Sequence, residues 1–147
     1  MVKIARPQGR RNLRRHVCGS LFAVGRGLDE MSKTPDYNDL CELSAGYFLS
    51  EERRAIAMEW VDGPDDEEGV KTLLRRITVP RLNQIEQTQP GTLARVKEAL
   101  RYHLRVRDFP VEDVYYGGEP IVDHPEDPYR YYEWAWEVLA PGEDWRH

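Results

Sequence analysis

Residues 92–106 read TLARVKEALRYHLRV and hold the clearest amphipathic pattern of the chain. Apolar residues and one histidine recur there at spacings of three and four, at Leu93, Val96, Leu100, His103 and Leu104. This spacing places them on one face of an α-helix, with charged side chains on the other face. The pattern predicts a helix that runs through Val106, with Thr92 as its N-cap after a turn at Pro90-Gly91.

A second helical stripe lies upstream and consists of Val70, Leu73, Leu74 and Ile77. Four acids at positions 65–68 precede it, and carboxylates stabilise the positive, N-terminal end of a helix. They therefore predict a solvated helix start, because the ligand spacing of a calcium-binding EF-hand is absent. Pro80 should kink or end the helix that carries this stripe.

Two shorter helices are predicted before these stripes. Thr34 and Pro35 favour the first start, as N-cap and first helical residue. The apolar face of that helix is predicted at Leu40, Leu43, Tyr47 and Phe48. Ser50 favours a second start, as the cap of a helix whose apolar positions are Ala55, Ile56, Met58 and Trp60.

Beyond Pro110 the sequence predicts an irregular, proline-rich segment over residues 115–127 and then a final helix. Pro128 can open that helix, which spans Tyr129–Leu139 and is dense in aromatic residues. Aromatic side chains are costly to leave in water, so we expect them to pack on the body or on a partner. The predicted fold class is all-α: a small multi-helix domain with a long basic N-terminal arm and an irregular segment before the last helix.

Charge divides the chain into two parts. The first 28 of the 147 residues carry seven Lys and Arg and no acid, whereas the remainder carries 14 basic and 26 acidic residues. This asymmetry predicts a basic arm, residues 1–33, attached to an acidic helical domain, residues 34–147. An Arg-rich segment without acids is also typical of mitochondrial targeting, and a tail that only aids solubility is the third interpretation.

The remaining sequence features set limits on location and chemistry. No stretch approaches the roughly 18 apolar residues that span a bilayer, so we expect at most a peripheral membrane association. Cys18 and Cys41 are the only cysteines and lack CxxC spacing. One disulfide is possible, but we expect reduced thiols in an intracellular compartment.

Catalytic motifs are missing from the sequence. No nucleotide-binding glycine pattern, nucleophile elbow or zinc-protease motif is present. We expect His103, on an apolar stripe, to be a structural residue. His124, with Asp123, Glu126 and Asp127, resembles a metal cluster only in composition, and a proline-locked loop with exposed acids is the favoured interpretation. The sequence therefore predicts no catalytic, cofactor-binding or metal-ligating residue and no enzyme activity.

Several short motifs resemble one known family. The run Val70–Ile77, VKTLLRRI, follows an acidic stretch and is similar to the V-K-x-A-L-x-R-L stretch of the subunit-7 family of the cytochrome bc1 complex, respiratory complex III. This family was once called the ubiquinone-binding protein. Four further segments resemble the family's helix ends and helix cores in the same order, at Ala45-Gly46-Tyr47, Arg95–Leu100, Pro110–Asp113 and Pro128-Tyr129.

The resemblance implies a non-catalytic accessory subunit. The family is all-helical, lies on the matrix side of the mitochondrial inner membrane, and packs against cytochrome b and the core subunits, where it supports assembly of the electron-transfer complex. It holds no haem or quinone through a site of its own. This chain departs from the family in its longer basic arm, in extra residues at 78–89 and in the proline-rich segment 115–127.

One alternative is a protein associated with nucleic acid. Arg10, Arg11, Arg14 and Arg15 could bind phosphates. The acidic body and the lack of interleaved aromatic and basic residues count against this alternative. The favoured prediction is therefore the complex III accessory subunit, a peripheral protein of a large hetero-oligomeric membrane complex that binds no nucleic acid.

Overall fold

A computed structural model describes residues 34–146, and all of the regular secondary structure in this range is helical. The predicted all-α class is therefore confirmed for this part of the chain. The predicted basic arm, residues 1–33, lies outside the described residues. Within 34–146 no helix is both long enough and apolar enough to cross a membrane.

The helices follow one another with short connections. In chain order they are a 3-10 helix at Tyr37–Ser44, α1 at Glu51–Met58, α2 at Glu67–Leu73, a π-helical segment at Leu74–Thr78, α3 at Val79–Thr88, α4 at Thr92–Val106, α5 at Val111–Gly117 and α6 at Pro128–Leu139.

Helix α4 lies in the core, as its sequence predicts. Its buried residues include Val96, Leu100 and Leu104, which pack with residues of the 3-10 helix, α3 and α6. The predicted cap at Thr92 is wrong, because Gly91 is the N-cap. The carboxylate of Glu86 accepts hydrogen bonds from the N–H groups of Gly91 at 3.1 Å and Leu93 at 2.9 Å. A side chain from α3 thus satisfies donors that the helix start leaves free.

The stripe at Val70, Leu73, Leu74 and Ile77 is buried, which confirms that prediction. Asp66 caps α2 by accepting a hydrogen bond from Gly69 N–H at 3.2 Å, with the acids 67 and 68 in the first turn. Pro80 does not interrupt the helical path. Helix α2 continues through the π-helical segment into α3, and Pro80 lies in the first turn of α3, directly after that segment.

The first described helix differs from its prediction. Asp36, not Thr34, is the N-cap, and its Oδ1 accepts a hydrogen bond from Asn38 N–H at 2.9 Å. A carboxylate beside the helix start is a strong cap, so the helix begins at Tyr37 rather than Pro35. It also ends at Ser44, which leaves the predicted face residues Tyr47 and Phe48 beyond its end.

Helix α1 begins where predicted but packs differently. Ser50 caps it by accepting a hydrogen bond from Arg53 N–H at 3.2 Å, which confirms the predicted start. The predicted apolar face is half correct: Met58 and Trp60 pack against the core, whereas Ala55 and Ile56 are exposed, Ile56 by 53 %. The fully buried residue of α1 is Ala57. The tertiary packing of Ala57 and Val61 sets the orientation of this helix. The apolar pattern of eight residues is too short to predict that orientation.

Helix α5 was not predicted from the sequence. Pro110 precedes it, and Glu112 and Asp113 occupy its first turn, a start signal that the following glycines obscured. Irregular structure is confirmed for residues 118–127 but begins later than predicted, since Tyr115 and Tyr116 belong to α5. The final helix is confirmed, with Pro128 in its first turn and Asp127 as its cap.

The aromatic residues of α6 pack on the body of the protein. The buried ones are Tyr131, Tyr132, Trp134 and Trp136. The hydroxyl of Tyr131 donates a hydrogen bond to the carbonyl of Leu43 at 2.6 Å and joins α6 to the 3-10 helix. Of the two environments expected for these rings, the structure therefore shows an internal one.

Gly118 permits the closest approach between distant parts of the chain. A Cβ atom there would lie 2.7 Å from the carbonyl oxygen of Cys41 and 2.8 Å from Cα of Ala45. Its own carbonyl accepts hydrogen bonds from Gly46 N–H at 2.8 Å and Tyr47 N–H at 3.2 Å. Only a residue without a side chain fits between these backbones, so Gly118 sets the contact between the 3-10 helix and α5.

A pair of isoleucine truncations tests the packing. Ile77 is 7 % exposed in the core, and Ile56 is 53 % exposed on α1. We expect Ile77→Ala to lower the free energy of unfolding by about 2–5 kcal/mol because it leaves a cavity. Ile56→Ala should change it by less than about 0.5 kcal/mol. Urea denaturation followed by circular dichroism measures both, and equal losses would contradict the described packing.

Candidate functional site

His103 has a structural role, in agreement with the sequence interpretation. Its ring is buried, its Nε2 lies 2.9 Å from the carbonyl oxygen of Pro35, and its Nδ1 lies 3.4 Å from a carboxylate oxygen of Asp108. The rings of Tyr37 and Phe109 pack beside it. His103 therefore fixes the point at which residues 1–33 join the helical domain.

His124 and its neighbouring acids form no metal centre. Its Nδ1 lies 2.6 Å from the carbonyl oxygen of Pro125, and its Nε2 lies 3.8 Å from a carboxylate oxygen of Glu112. The nearby Asp123 accepts a hydrogen bond from the hydroxyl of Tyr116 at 3.2 Å. Burial, and secondly this carboxylate, raises the pKa of Tyr116 to about 12. Within residues 34–146, no group of three or more His, Cys, Asp and Glu side chains is placed to hold a metal ion.

The acids at positions 65–68 have structural partners as well. One oxygen of Asp66 caps Gly69, and the other accepts a hydrogen bond from Asp62 N–H at 2.9 Å. Asp65 accepts a hydrogen bond from Glu126 N–H at 3.2 Å and joins this loop to the segment before α6. Glu67 is 2.7 Å from Lys71 Nζ, which also contacts Glu137 of α6 at 2.5 Å. These acids thus connect the start of α2 to the C-terminal part of the domain.

Sequence reasoning missed a buried ionic cluster at Glu42. This carboxylate is 2 % exposed in the core. One oxygen accepts a hydrogen bond from the hydroxyl of Tyr47 at 2.8 Å, and the other lies 4.0 Å from Nε of Arg81, beyond hydrogen-bonding distance. The guanidinium of Arg81 also stacks over the ring of Phe48 at 4.8 Å. The available signal was an acid between Leu40 and Leu43, in a helix with three residues per turn.

The environment of Glu42 disfavours its charged form. Burial raises the pKa of Glu42 above its usual range, although the hydrogen bond from Tyr47 and the charge of Arg81 both lower it. The pKa of Tyr47 is raised too, by its own burial and by the adjacent carboxylate. The cluster joins the 3-10 helix to α3.

A cavity of about 10 Å³ lies between the 3-10 helix, the π-helical segment, α5 and α6. It has room for about one water molecule. The polar groups around it are already used, because Ser44 donates to the carbonyl of Tyr115 at 2.6 Å and Tyr115 donates to the carbonyl of Val122 at 2.7 Å. This cavity is too small for a metabolite.

Two stretches that are distant in the sequence form one acidic region together. Residues 34–52 carry five acids and residues 108–127 carry seven, and neither stretch contains Lys or Arg. The contact at Gly118 places the two stretches side by side, and Arg54 donates hydrogen bonds to the carbonyls of Gly46 and Pro120 across the boundary. We call the region formed by 34–52 and 108–127 the acidic surface.

Cys41 lies in the 3-10 helix within this region and is buried. It is disulfide-bonded, so the expectation of reduced thiols is wrong for this residue. The backbone of Gly118 is in contact with it. Cys18 and the arginines at 10–15, which the sequence suggested as a phosphate-binding arm, lie outside the described residues.

Glu42→Gln tests the buried carboxylate. Because the pKa of Glu42 is raised in the folded protein, its stabilising contribution is complete below its ordinary pKa of 4.5. That contribution is lost as the pH rises through the folded-state value. We therefore expect the free energy of unfolding of the wild type to fall relative to that of Glu42→Gln as the pH is raised from 4.5 to 8. Urea denaturation across this range measures the difference, and a gap that is constant with pH would refute the raised pKa.

Comparison with known proteins gives no relative from which to carry over an activity. No protein-family model, curated protein or solved structure matches this chain.

Proposed function

We propose that this protein is a non-catalytic docking protein that binds a larger assembly through α1. The observation that carries the proposal is the poor burial of this helix: of its eight residues Ala57 alone is buried, and Ile56 is 53 % exposed. An isolated helix of this length is unstable in water. The inner face of α1 is held by the burial of Ala57 and by hydrogen bonds from Arg54 to the body, so a partner that covers the outer face adds to the stability of the helix.

The surroundings of α1 suit a protein partner. Ile56 is the most exposed large apolar side chain among the described residues. Acids and arginines surround it at Glu51, Glu52, Arg53 and Glu59, all exposed. An apolar centre with a charged rim is the usual composition of a protein–protein interface. Trp60, half-buried beneath the guanidinium of Arg76 at 5.0 Å, extends the apolar area beyond the helix.

The resemblance to the subunit-7 family supplies the identity of the assembly in this proposal. The partner is then cytochrome b with the core subunits of complex III, on the matrix side of the mitochondrial inner membrane. The similar segments fall on the all-helical body, at the end of the 3-10 helix, on α2 with the π-helical segment, on α4, and at the starts of α5 and α6. An accessory subunit of this kind supports electron transfer through assembly and carries no cofactor.

The disulfide at Cys41 is evidence about the cellular compartment in which the protein works. Disulfides are rare where thiol-reducing systems operate, as they do in the matrix, so this feature and the resemblance favour different locations. Fractionation of whole source cells into inner membrane, soluble and secreted material, with detection of this chain by antibody, separates these locations. Recovery with the mitochondrial inner membrane supports the complex III assignment, whereas recovery in the secreted material overturns it.

Native electrophoresis of detergent-solubilised membranes tests the docking element. We expect the wild-type chain to comigrate with cytochrome b and Ile56→Glu to lose comigration, since burying an unpaired carboxylate in an interface is costly. Val106→Glu is the matched control, because Val106 is 46 % exposed on α4, away from the proposed element. The control should still comigrate.

The outcomes separate the two parts of the proposal. Binding of Ile56→Glu equal to that of the wild type would show that α1 is not the docking element. Absence of the wild-type chain from complex III, with Ile56-dependent binding to a different assembly, would overturn the complex III assignment alone.

A further inference from the structure

We infer that the basic segment, residues 1–33, docks on the acidic surface of its own helical body and that Cys18 is the disulfide partner of Cys41. The acidic surface is the region formed by residues 34–52 and 108–127. The inference concerns the occupant of that surface and does not depend on the docking role proposed for α1.

Charge complementarity is the first reason. Ten of the twelve acids in the two stretches lie at the surface, since Asp39 and Glu42 are buried. Neither stretch contains Lys or Arg, whereas residues 1–28 carry seven Lys and Arg and no acid. Surface charges of one sign repel one another, and a ligand of the opposite charge relieves this repulsion. The most concentrated source of positive charge in the chain is the run of arginines at Arg10, Arg11, Arg14 and Arg15.

The disulfide is the second and independent reason. Cys41 is disulfide-bonded in the 3-10 helix, next to the backbone of Gly118, and therefore within the acidic surface. The sequence contains one other cysteine, Cys18, which lies within the basic segment, close to the arginines. A bond between the two would place this segment against the region of opposite charge.

The chain geometry permits this return. His103 holds the carbonyl of Pro35 at 2.9 Å, so the segment leaves the body from a fixed point beside the acidic surface. An extended chain from Pro35 back to Cys18 reaches roughly 60 Å, at about 3.3–3.6 Å per residue. The segment can therefore turn back to Cys41 without strain.

The chemistry balances without a cofactor. The thiolate of Cys18 or Cys41 attacks a disulfide oxidant such as oxidised glutathione, and the second thiolate displaces glutathione from the mixed disulfide. One S–S bond forms in the protein, and the oxidant takes up two electrons and two protons as two molecules of reduced glutathione. Thiol reductants reverse the reaction and leave the segment held by charge alone.

The first test maps the disulfide in the full chain. Alkylation of free thiols, digestion without reduction and mass spectrometry should yield one cross-linked peptide pair that contains Cys18 and Cys41, from a monomer. Free thiols in freshly isolated protein, or a pair that joins two copies of the chain, would overturn the inference.

The second test measures the effective concentration of the two cysteines by equilibration with glutathione. A flexible segment that does not dock gives an effective concentration of the order of mM. Docking should raise it by at least about tenfold, because several exposed ion pairs add small contributions. Reversal of the four arginines at Arg10, Arg11, Arg14 and Arg15 to Glu should remove this gain, and 1 M NaCl should have the same effect on the wild type.

Charge reversal on the body gives the matched control. Glu112→Lys with Glu126→Lys changes two exposed acids of the acidic surface, and Glu59→Lys with Glu98→Lys changes two exposed acids outside it. The first pair alone should lower the effective concentration. When the first pair is combined with the four arginine reversals, the charges are again opposite, so part of the lost effective concentration should return. Equal effects of the two pairs, with helical circular dichroism retained, would refute docking on this surface.

Discussion

The contact between the 3-10 helix and α5 at Gly118 is the constraint on which the rest of the structure depends. Two backbones meet there with no space for a side chain, and the carbonyl of Gly118 receives the N–H groups of Gly46 and Tyr47. Ser44 and Tyr131 add buried hydrogen bonds to carbonyls on either side of this contact. Because these bonds are shielded from water, losing one partner would leave a buried polar group unsatisfied, which costs more than the bond contributes when it is formed.

The same contact brings together the acids of 34–52 and 108–127, which are far apart in the sequence. Glu42 is the extreme case, since its carboxylate is drawn into the core with Tyr47 and Arg81 as its polar partners. The docking role proposed for α1 and the internal docking inferred for residues 1–33 centre on different regions, although Glu51 and Glu52 belong to both. One is the outer face of α1, with the exposed Ile56 at its centre, and the other is a charged surface with a covalent anchor at Cys41.

Sequence periodicity predicted the helices that are long or strongly amphipathic. It failed where contacts between distant residues determine how a helix begins or which face is buried. Helix α4, the stripe from Val70 to Ile77 and the final aromatic helix were predicted because their buried faces repeat over several turns. The cap by Glu86 comes from a neighbouring helix and has no local signal. Helix α5 is only seven residues long, too short for a period to emerge. Glu42 itself left a signal, as an acid between Leu40 and Leu43, but its partners Tyr47 and Arg81 could not be foreseen because they meet it only in the folded protein. The structural reading of His103 was predictable from its place on an apolar stripe.

The contacts around Leu43 join residues that are far apart in the sequence, and this affects how the protein folds during synthesis. The hydroxyl of Tyr131 bonds a carbonyl 88 residues earlier, and the contact of Ser44 with Tyr115 spans 71 residues. During synthesis at about 5–20 residues per second, the 3-10 helix therefore has no completed partner surface until α6 has emerged from the ribosome. Leu40, Leu43 and Cys41 stay accessible to chaperones and oxidants during those seconds, so the oxidation state of this cysteine can be set before the core closes around it.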